Sequence, residues 1–130
     1  MTMISGIDHV SVLVSDTGKA LEFYQGILGL ELDASRPSLS YAGAFLNLGD
    51  GHQIHLIELP SPDPVDDRPK HGGRDRHTAL RVNYLDDIID RLESAGVEYT
   101  LSSSGRRALF CRDPDANAIE MIECISTQSS

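Results

Sequence analysis

The chain repeats itself imperfectly, and that repeat limits its fold more than any single residue does. Gly49-Asp50-Gly51-His52-Gln53 runs into Ile54-His55-Leu56-Ile57-Glu58. Asp113-Pro114-Asp115-Ala116-Asn117-Ala118 runs into Ile119-Glu120-Met121-Ile122-Glu123. Laid on one another, the two apolar stretches put His55 on Glu120 at an offset of 65 residues. Upstream, Asp8-His9-Val10-Ser11-Val12 lies over Arg76-His77-Thr78-Ala79-Leu80 at 68, and Leu28-Gly29-Leu30-Glu31 over Ala95-Gly96-Val97-Glu98 at 67. Three anchors at nearly one offset describe a duplicated supersecondary unit. Each copy carries two groups able to ligate a metal at matching places: His9 and His55 in the first, His77 and Glu120 in the second.

Glu120 gives the pairing chemical weight. Pro114 fixes its own φ, and Asp115 and Asn117 suit a turn, so the chain reverses before an extended run over Ala118 to Ile125. Alternation puts Ala118, Glu120, Ile122 and Cys124 on one face and Ile119, Met121 and Glu123 on the other. A carboxylate set among apolar strand neighbours is costly to bury without a partner.

The chain in order gives the first copy as residues 5–59 and the second as 77–125. Val10, Val12 and Val14 form one apolar face of a strand over Ile7 to Val14, which leaves His9 on the other. Asp16 or Thr17 caps a helix whose apolar residues, Phe23 and Tyr24 among them, recur at helical spacing until Gly29. Short strands follow at Leu30 to Asp33, Ala44 to Leu48 and Gln53 to Leu59, with a loop over Arg36 to Gly43. Residues 60–76 hold four of the six prolines, several aspartates and Gly72-Gly73, the composition of a linker. The second copy repeats the order: strand His77 to Val82, helix Leu85 to Ala95, and strands Val97 to Leu101, Ala108 to Arg112 and Ala118 to Ile125. Ser126 to Ser130 reads as a polar tail that frays.

At 130 residues the chain suits one domain whose halves share buried surface. A net charge of −9 argues against nucleic acid or an anionic membrane as partner. No run is apolar enough to span a bilayer, and the start Met-Thr-Met-Ile-Ser-Gly has no signal-peptide character, so a cytoplasmic protein is expected. Cys111 and Cys124 fall on neighbouring strands where a disulfide is conceivable; buried free thiols are expected in a reducing compartment. His52 and His71 are expected at the surface, and Asp66-Asp67 and Asp86-Asp87 as solvated or helix-start charge.

A βαβββ unit repeated once resembles the vicinal oxygen chelate superfamily. The marks are His near the start of each copy's first strand, a ligand in the fourth strand of the first, and Asp-Pro-Asp-x-Asn-x-Ile-Glu closing the second. That group includes glyoxalase I, bleomycin- and fosfomycin-resistance proteins, extradiol dioxygenases and methylmalonyl-CoA epimerase. The resemblance runs from Ile7 to Ile125. It implies an α+β fold in which the two modules form a U-shaped, partly open mixed β-sheet barrel with helices outside. It also implies a divalent metal chelating two adjacent oxygens of a small-molecule substrate, and a homodimer. Position by position, the family's metal ligands fall on His9, His55, His77 and Glu120. Two departures stand out: glyoxalase I has Glu or Gln where this chain has His55, and the family often has Gly where this chain has Ala116. Asn117 is the residue expected to absorb the second change.

Three imidazoles and a carboxylate suit Zn, Ni, Fe(II), Mn or Co alike. Glu120 is the one carboxylate in the set and hence the expected general base. Arg81, Arg106 and Arg107 are the cations expected to meet an anionic substrate, with Arg36 on the corresponding loop of the first copy. Three functions follow: a glyoxalase-like lyase or isomerase working by proton transfer, an iron-dependent ring-cleaving dioxygenase on the His9, His77, Glu120 set, or a binding or resistance protein, including thiol transfer.

Overall fold

The computed structural model describes residues 2–124. It divides into two compact units, Met1–Asp63 and Pro64–Ser130, so the boundary falls inside the expected linker. The first unit contains β1 (His9–Val14), α1 (Thr17–Leu21), β2 (Glu31–Leu32), β3 (Gly43–Gly49) and β4 (His52–Glu58). The second contains β5 (His77–Val82), α2 (Leu85–Ser94), β6 (Tyr99–Leu101), β7 (Ala108–Arg112) and β8 (Ala118–Glu123). The fold class is α+β.

Each unit has one four-stranded mixed sheet, and the strand orders correspond: β1-β4-β3-β2 and β5-β8-β7-β6. The first strand of each unit runs parallel to the fourth, and the remaining pairs are antiparallel. The parallel pair is possible because the intervening helix carries the chain back across the sheet. Leu46, Ile54 and Leu56 form the buried centre of the first unit with Ala20, Phe23 and Tyr24 from the helical segment. Leu109, Met121, Leu85 and Leu92 do the same in the second. Truncating one such leucine to alanine costs about 2–5 kcal/mol.

The first helix departs from expectation. Asp16 caps it by accepting from the Lys19 N–H at 3.0 Å, yet only Thr17–Leu21 is α-helical, and Glu22–Ile27 widens into a π segment. The Leu28 N–H reaches back five residues to the Phe23 carbonyl, the bond of the widened turn. Gly29 and Gly96 end the two helical segments at φ of 76° and 71°, a conformation glycine adopts without steric cost. Gly43 is needed for another reason: a Cβ there would stand 2.1 Å from the Leu56 carbonyl oxygen.

Four strands are shorter than expected, β1 among them, which begins at His9 instead of Ile7. The Val97 N–H closes the end of α2 on the Leu92 carbonyl, so β6 begins at Tyr99 instead of Val97. β2 keeps only Glu31 and Leu32, although the Asp33 N–H still donates to Phe45 O. β8 ends at Glu123; Ile125 and the tail Ser126 to Ser130 lie outside the described residues. Cys111 is buried in β7, and burial pushes its thiol up to about 12. Cys124 is exposed just past β8, not buried as expected, and both thiols are free.

Candidate metal centre, one pair of ligands in each unit

In the second unit His77 begins β5 and Glu120 lies mid-β8. The register pairs Ala79 with Glu120, so His77 sits one diagonal step from the carboxylate on the same face. His77 Nε2 is 3.3 Å from Glu120 Oε1. The other ring nitrogen, Nδ1, lies 2.8 Å from the Asp75 carbonyl oxygen, which can only accept, so Nδ1 carries the proton. Nε2 of the neutral ring therefore has a lone pair, and it faces a carboxylate oxygen. Two lone pairs at that separation call for a cation between them, either a proton or a metal ion. Glu120 is 6% exposed, which makes an uncompensated charge there costly.

Phe110 backs this pair. It is the register partner of Glu120, and its ring meets the edge of His77 at a centroid distance of 5.2 Å. Asp75, whose carbonyl fixes His77, is itself clamped: its carboxylate accepts from Arg68 Nε at 2.9 Å and Arg112 Nη1 at 2.8 Å. The Arg112 hydrogen bond leads in holding the Asp75 carboxyl down at about 2.

The first unit repeats the diagonal. His9 starts β1 and His55 lies in β4 opposite Ser11. Their rings stack at 3.8 Å, and His55 stacks in turn on Phe45 at 3.5 Å. Phe45 pairs with His55 as Phe110 pairs with Glu120, so an aromatic backs the ligand in both units. Beyond Phe45 lies the Arg36 guanidinium, 5.7 Å from the ring and bonded to the Tyr41 carbonyl; its Nε is buried with no hydrogen-bond partner among the described residues. His9 Nδ1 donates to Asp8 Oδ2 at 2.7 Å, and that bond lowers the Asp8 pKa. His9, like His77, therefore offers Nε2, oriented by an acceptor behind it as metal-bound imidazoles commonly are. Burial first, then His9, lowers the His55 pKa, which favours the neutral ring.

The four expected ligands thus fall into two pairs, and among the described residues no group of three or more His, Cys, Asp or Glu gathers to hold a metal. The lone pairs on His9 and His77 and the buried Glu120 carboxylate fit the donor preferences of a divalent transition ion. The expected cations behave differently from one another. Arg106 Nη2 lies 3.6 Å from Glu120 Oε2 with 62% of its side chain exposed. Arg107 instead bonds Asp86 and Glu123, both at 3.0 Å, at the start of α2. Arg81 is exposed on the strand face that carries His77. A cavity of about 1000 Å³ in the second unit runs between the Val65 to Lys70 segment and β6, with Phe110 in its wall. Neither His77 nor Glu120 lines it.

Asp113 was missed by sequence reasoning. Its buried carboxylate accepts from the backbone N–H groups of Asp115 and Asn117 and from the Asn117 side chain, so it organises the turn before β8. The Phe45 and Phe110 pair was missed too, although identical residues at an offset of 65 were there to find it.

Known proteins share this architecture. The chain is 31% identical over 129 residues to Glyoxylase I 4 of Arabidopsis thaliana, covering 95% of this chain and 73% of that protein. It is 30% identical to a lactoylglutathione lyase of Haemophilus influenzae, covering 93% of this chain and 94% of the relative. The fosfomycin resistance protein FosX of Listeria monocytogenes superposes with a TM-score of 0.71 at 25% identity, covering 93% of each chain. No helix among the described residues is long and apolar enough to cross a membrane. Residues 6–121 match the family model, and the chain belongs to the Glyoxalase/Bleomycin resistance protein/Dioxygenase superfamily.

Proposed function

We propose that this protein is a divalent-metal-dependent enzyme of glyoxalase type. Its substrate would be a small molecule that presents two adjacent oxygens to the metal, and its reaction a proton transfer. The observation that carries the reading is the His77 Nε2 to Glu120 Oε1 pair, 3.3 Å apart with His77 Nδ1 committed to the Asp75 carbonyl, so that Nε2 and a buried carboxylate are left to share a cation. His9 Nε2 is prepared in the same way by Asp8. We assign metal-ligand roles to His9, His77 and Glu120, with His55 as a fourth ligand. The FosX structure holds Mn(II) and 1S,2S-dihydroxypropylphosphonic acid, which supports a divalent ion and a small oxygen-rich ligand for this site.

A bound ion would supply Lewis acidity to the two substrate oxygens. Glu120 is the general base, because each metal-bound imidazole has its remaining nitrogen protonated and cannot take up a proton. Asp75 and Asp8 keep His77 and His9 in the metal-binding tautomer. Arg106, beside Glu120 and open to solvent, supports an anionic group on the substrate; Arg107 is tied to α2 and is left out of that role.

A second reading has its own support: His9, His77 and Glu120 alone form a two-His, one-carboxylate set, the ligand type of ferrous oxygenases. Metal content of protein purified without chelators decides between them, measured for wild type and for His9→Ala, His55→Ala, His77→Ala and Glu120→Gln. About one metal per site, lost in His9→Ala, His77→Ala and Glu120→Gln, supports the metal reading. Iron retained in His55→Ala, with oxygen consumption, turns the assignment to a dioxygenase. A wild type that takes up no divalent ion overturns both.

A further inference from the structure

A row of polar side chains crosses the first sheet on the face of His55, and in the second sheet the corresponding row is broken by an alanine. Glu31, Asn47 and Gln53 are successive register partners on β2, β3 and β4, and His9 continues the row on β1. In the second unit the register partner of His77, at the place of Gln53, is Ala118. The fold therefore tolerates a methyl group there, and the amide in the first unit answers to something other than sheet formation.

The hydrogen bonds along this row have fixed directions. Asn47 Nδ2 donates to Glu31 Oε1 at 3.0 Å, and a carboxylate can only accept, so the Asn47 oxygen faces Gln53. Gln53 Nε2 then donates to Asn47 Oδ1 at 2.8 Å and to Asp33 Oδ2 at 2.7 Å, which uses both of its protons. Its Oε1 is left 2.8 Å from His55 Nε2. An amide oxygen accepts, so His55 Nε2 carries the proton, and the lone pair of the neutral ring is on Nδ1. Two carboxylates at one end of the chain of bonds thus decide the tautomer at the other.

We propose that Gln53 is a positioning residue, held by Asp33 and Asn47, that keeps His55 as the Nε2–H tautomer, so that His55 meets the metal through Nδ1 whereas His9 and His77 meet it through Nε2. The proposal rests on the metal reading above and deepens it, because it names the ligand atom on each ring. It also gives His55 a coordination geometry distinct from that of the carboxylate at the matching position, Glu120.

The test is a two-bond proton–nitrogen NMR correlation of the full chain with labelled imidazoles, above the imidazole titration range, first metal-free and then with zinc. Single substitutions His9→Phe, His55→Phe and His77→Phe assign the signals. The expected metal-free pattern is one tautomer for each ring: protonated Nε2 for His55, protonated Nδ1 for His9 and His77. Zinc is expected to shift His55 Nδ1 and the Nε2 signals of the other two. Gln53→Met is expected to turn the single His55 tautomer into a mixture and to weaken zinc binding by roughly tenfold, the scale of lost outer-shell partners. A His55 ring protonated on Nδ1, a zinc shift on its Nε2, or no His55 response while His9 and His77 respond overturns the proposal alone. An unchanged tautomer and zinc affinity in Gln53→Met removes Gln53 from the role. Zinc that moves none of the three rings overturns the metal reading with it.

Discussion

Glu58 and Glu123 hold the same post in the two units: each closes the fourth strand, and each turns its carboxylate onto the first residue of its unit's helix. Glu58 Oε1 accepts from the Thr17 N–H at 2.8 Å and the Thr17 hydroxyl at 2.9 Å; Glu123 Oε2 accepts from the Leu85 N–H at 3.0 Å. The negative charge also suits the positive end of a helix. In the second unit Tyr84, the residue before α2, offers no side-chain cap, so Glu123 supplies from β8 what local sequence lacks. Glu58→Ala is expected to destabilise the protein by about 1 kcal/mol, the usual cost of a lost N-terminal cap. Urea unfolding measures it, and metal content should stay at the wild-type level because Glu58 faces the helix.

What the sequence disclosed and what it hid divide along physical lines. The order of elements along the chain and the matching places of His9, His55, His77 and Glu120 in the two copies follow from periodicity and duplication, which are read by comparing stretches of sequence. The capping by Glu58 and Glu123 spans 41 and 38 residues, and the Asp75 clamp on Arg112 spans 37. Such bonds depend on which strands become neighbours, and no local pattern encodes them. Arg107 shows the same limit: its charge was legible, but its partners Asp86 and Glu123 come together only after β8 has paired. The direction of the Gln53 bonds needed the register of three strands.

Asp75 contributes to acid sensitivity. Its carboxyl sits at about 2 in the folded chain against an ordinary 3.8, chiefly because Arg112 donates to it. A folded value below the unfolded one means that its contribution is complete above the ordinary carboxylate range and is lost as pH falls toward about 2. Asp75→Asn is expected to lower stability at neutral pH by roughly 1–3 kcal/mol, since Arg68 and Arg112 lose their charged acceptor. Denaturation midpoints followed downward from neutral pH should fall less steeply in the variant than in wild type below about pH 4.

Ala116 takes the strain expected of Asn117. The turn into β8 needs a left-handed residue, and Ala116 supplies it at φ of 67° while Asp113 holds the backbone on either side. A side-chain-bearing residue in that region costs about 1–2 kcal/mol, partly offset in glycine by its greater freedom when unfolded. Ala116→Gly is therefore expected to raise stability by about 0.5–1 kcal/mol, read as a higher thermal midpoint, with Glu120 left in place on β8.

Arg106 stands where it would compete with a metal ion for Glu120. Its guanidinium reaches within 3.6 Å of Glu120 Oε2, yet 62% of its side chain is in solvent, so its hold on the carboxylate is weak and screened. A divalent ion at Glu120 must share that carboxylate with the guanidinium or displace it. Removing the positive charge lifts the competition without disturbing the buried carboxylate or the Asp75 bond to His77. Arg106→Gln is expected to tighten Mn(II) or Zn(II) binding by a few-fold at low ionic strength, and the gain should shrink as salt is added. Titration calorimetry at two salt concentrations measures both effects. A variant that binds metal more weakly at low salt would mean instead that Arg106 orients Glu120 for the ion.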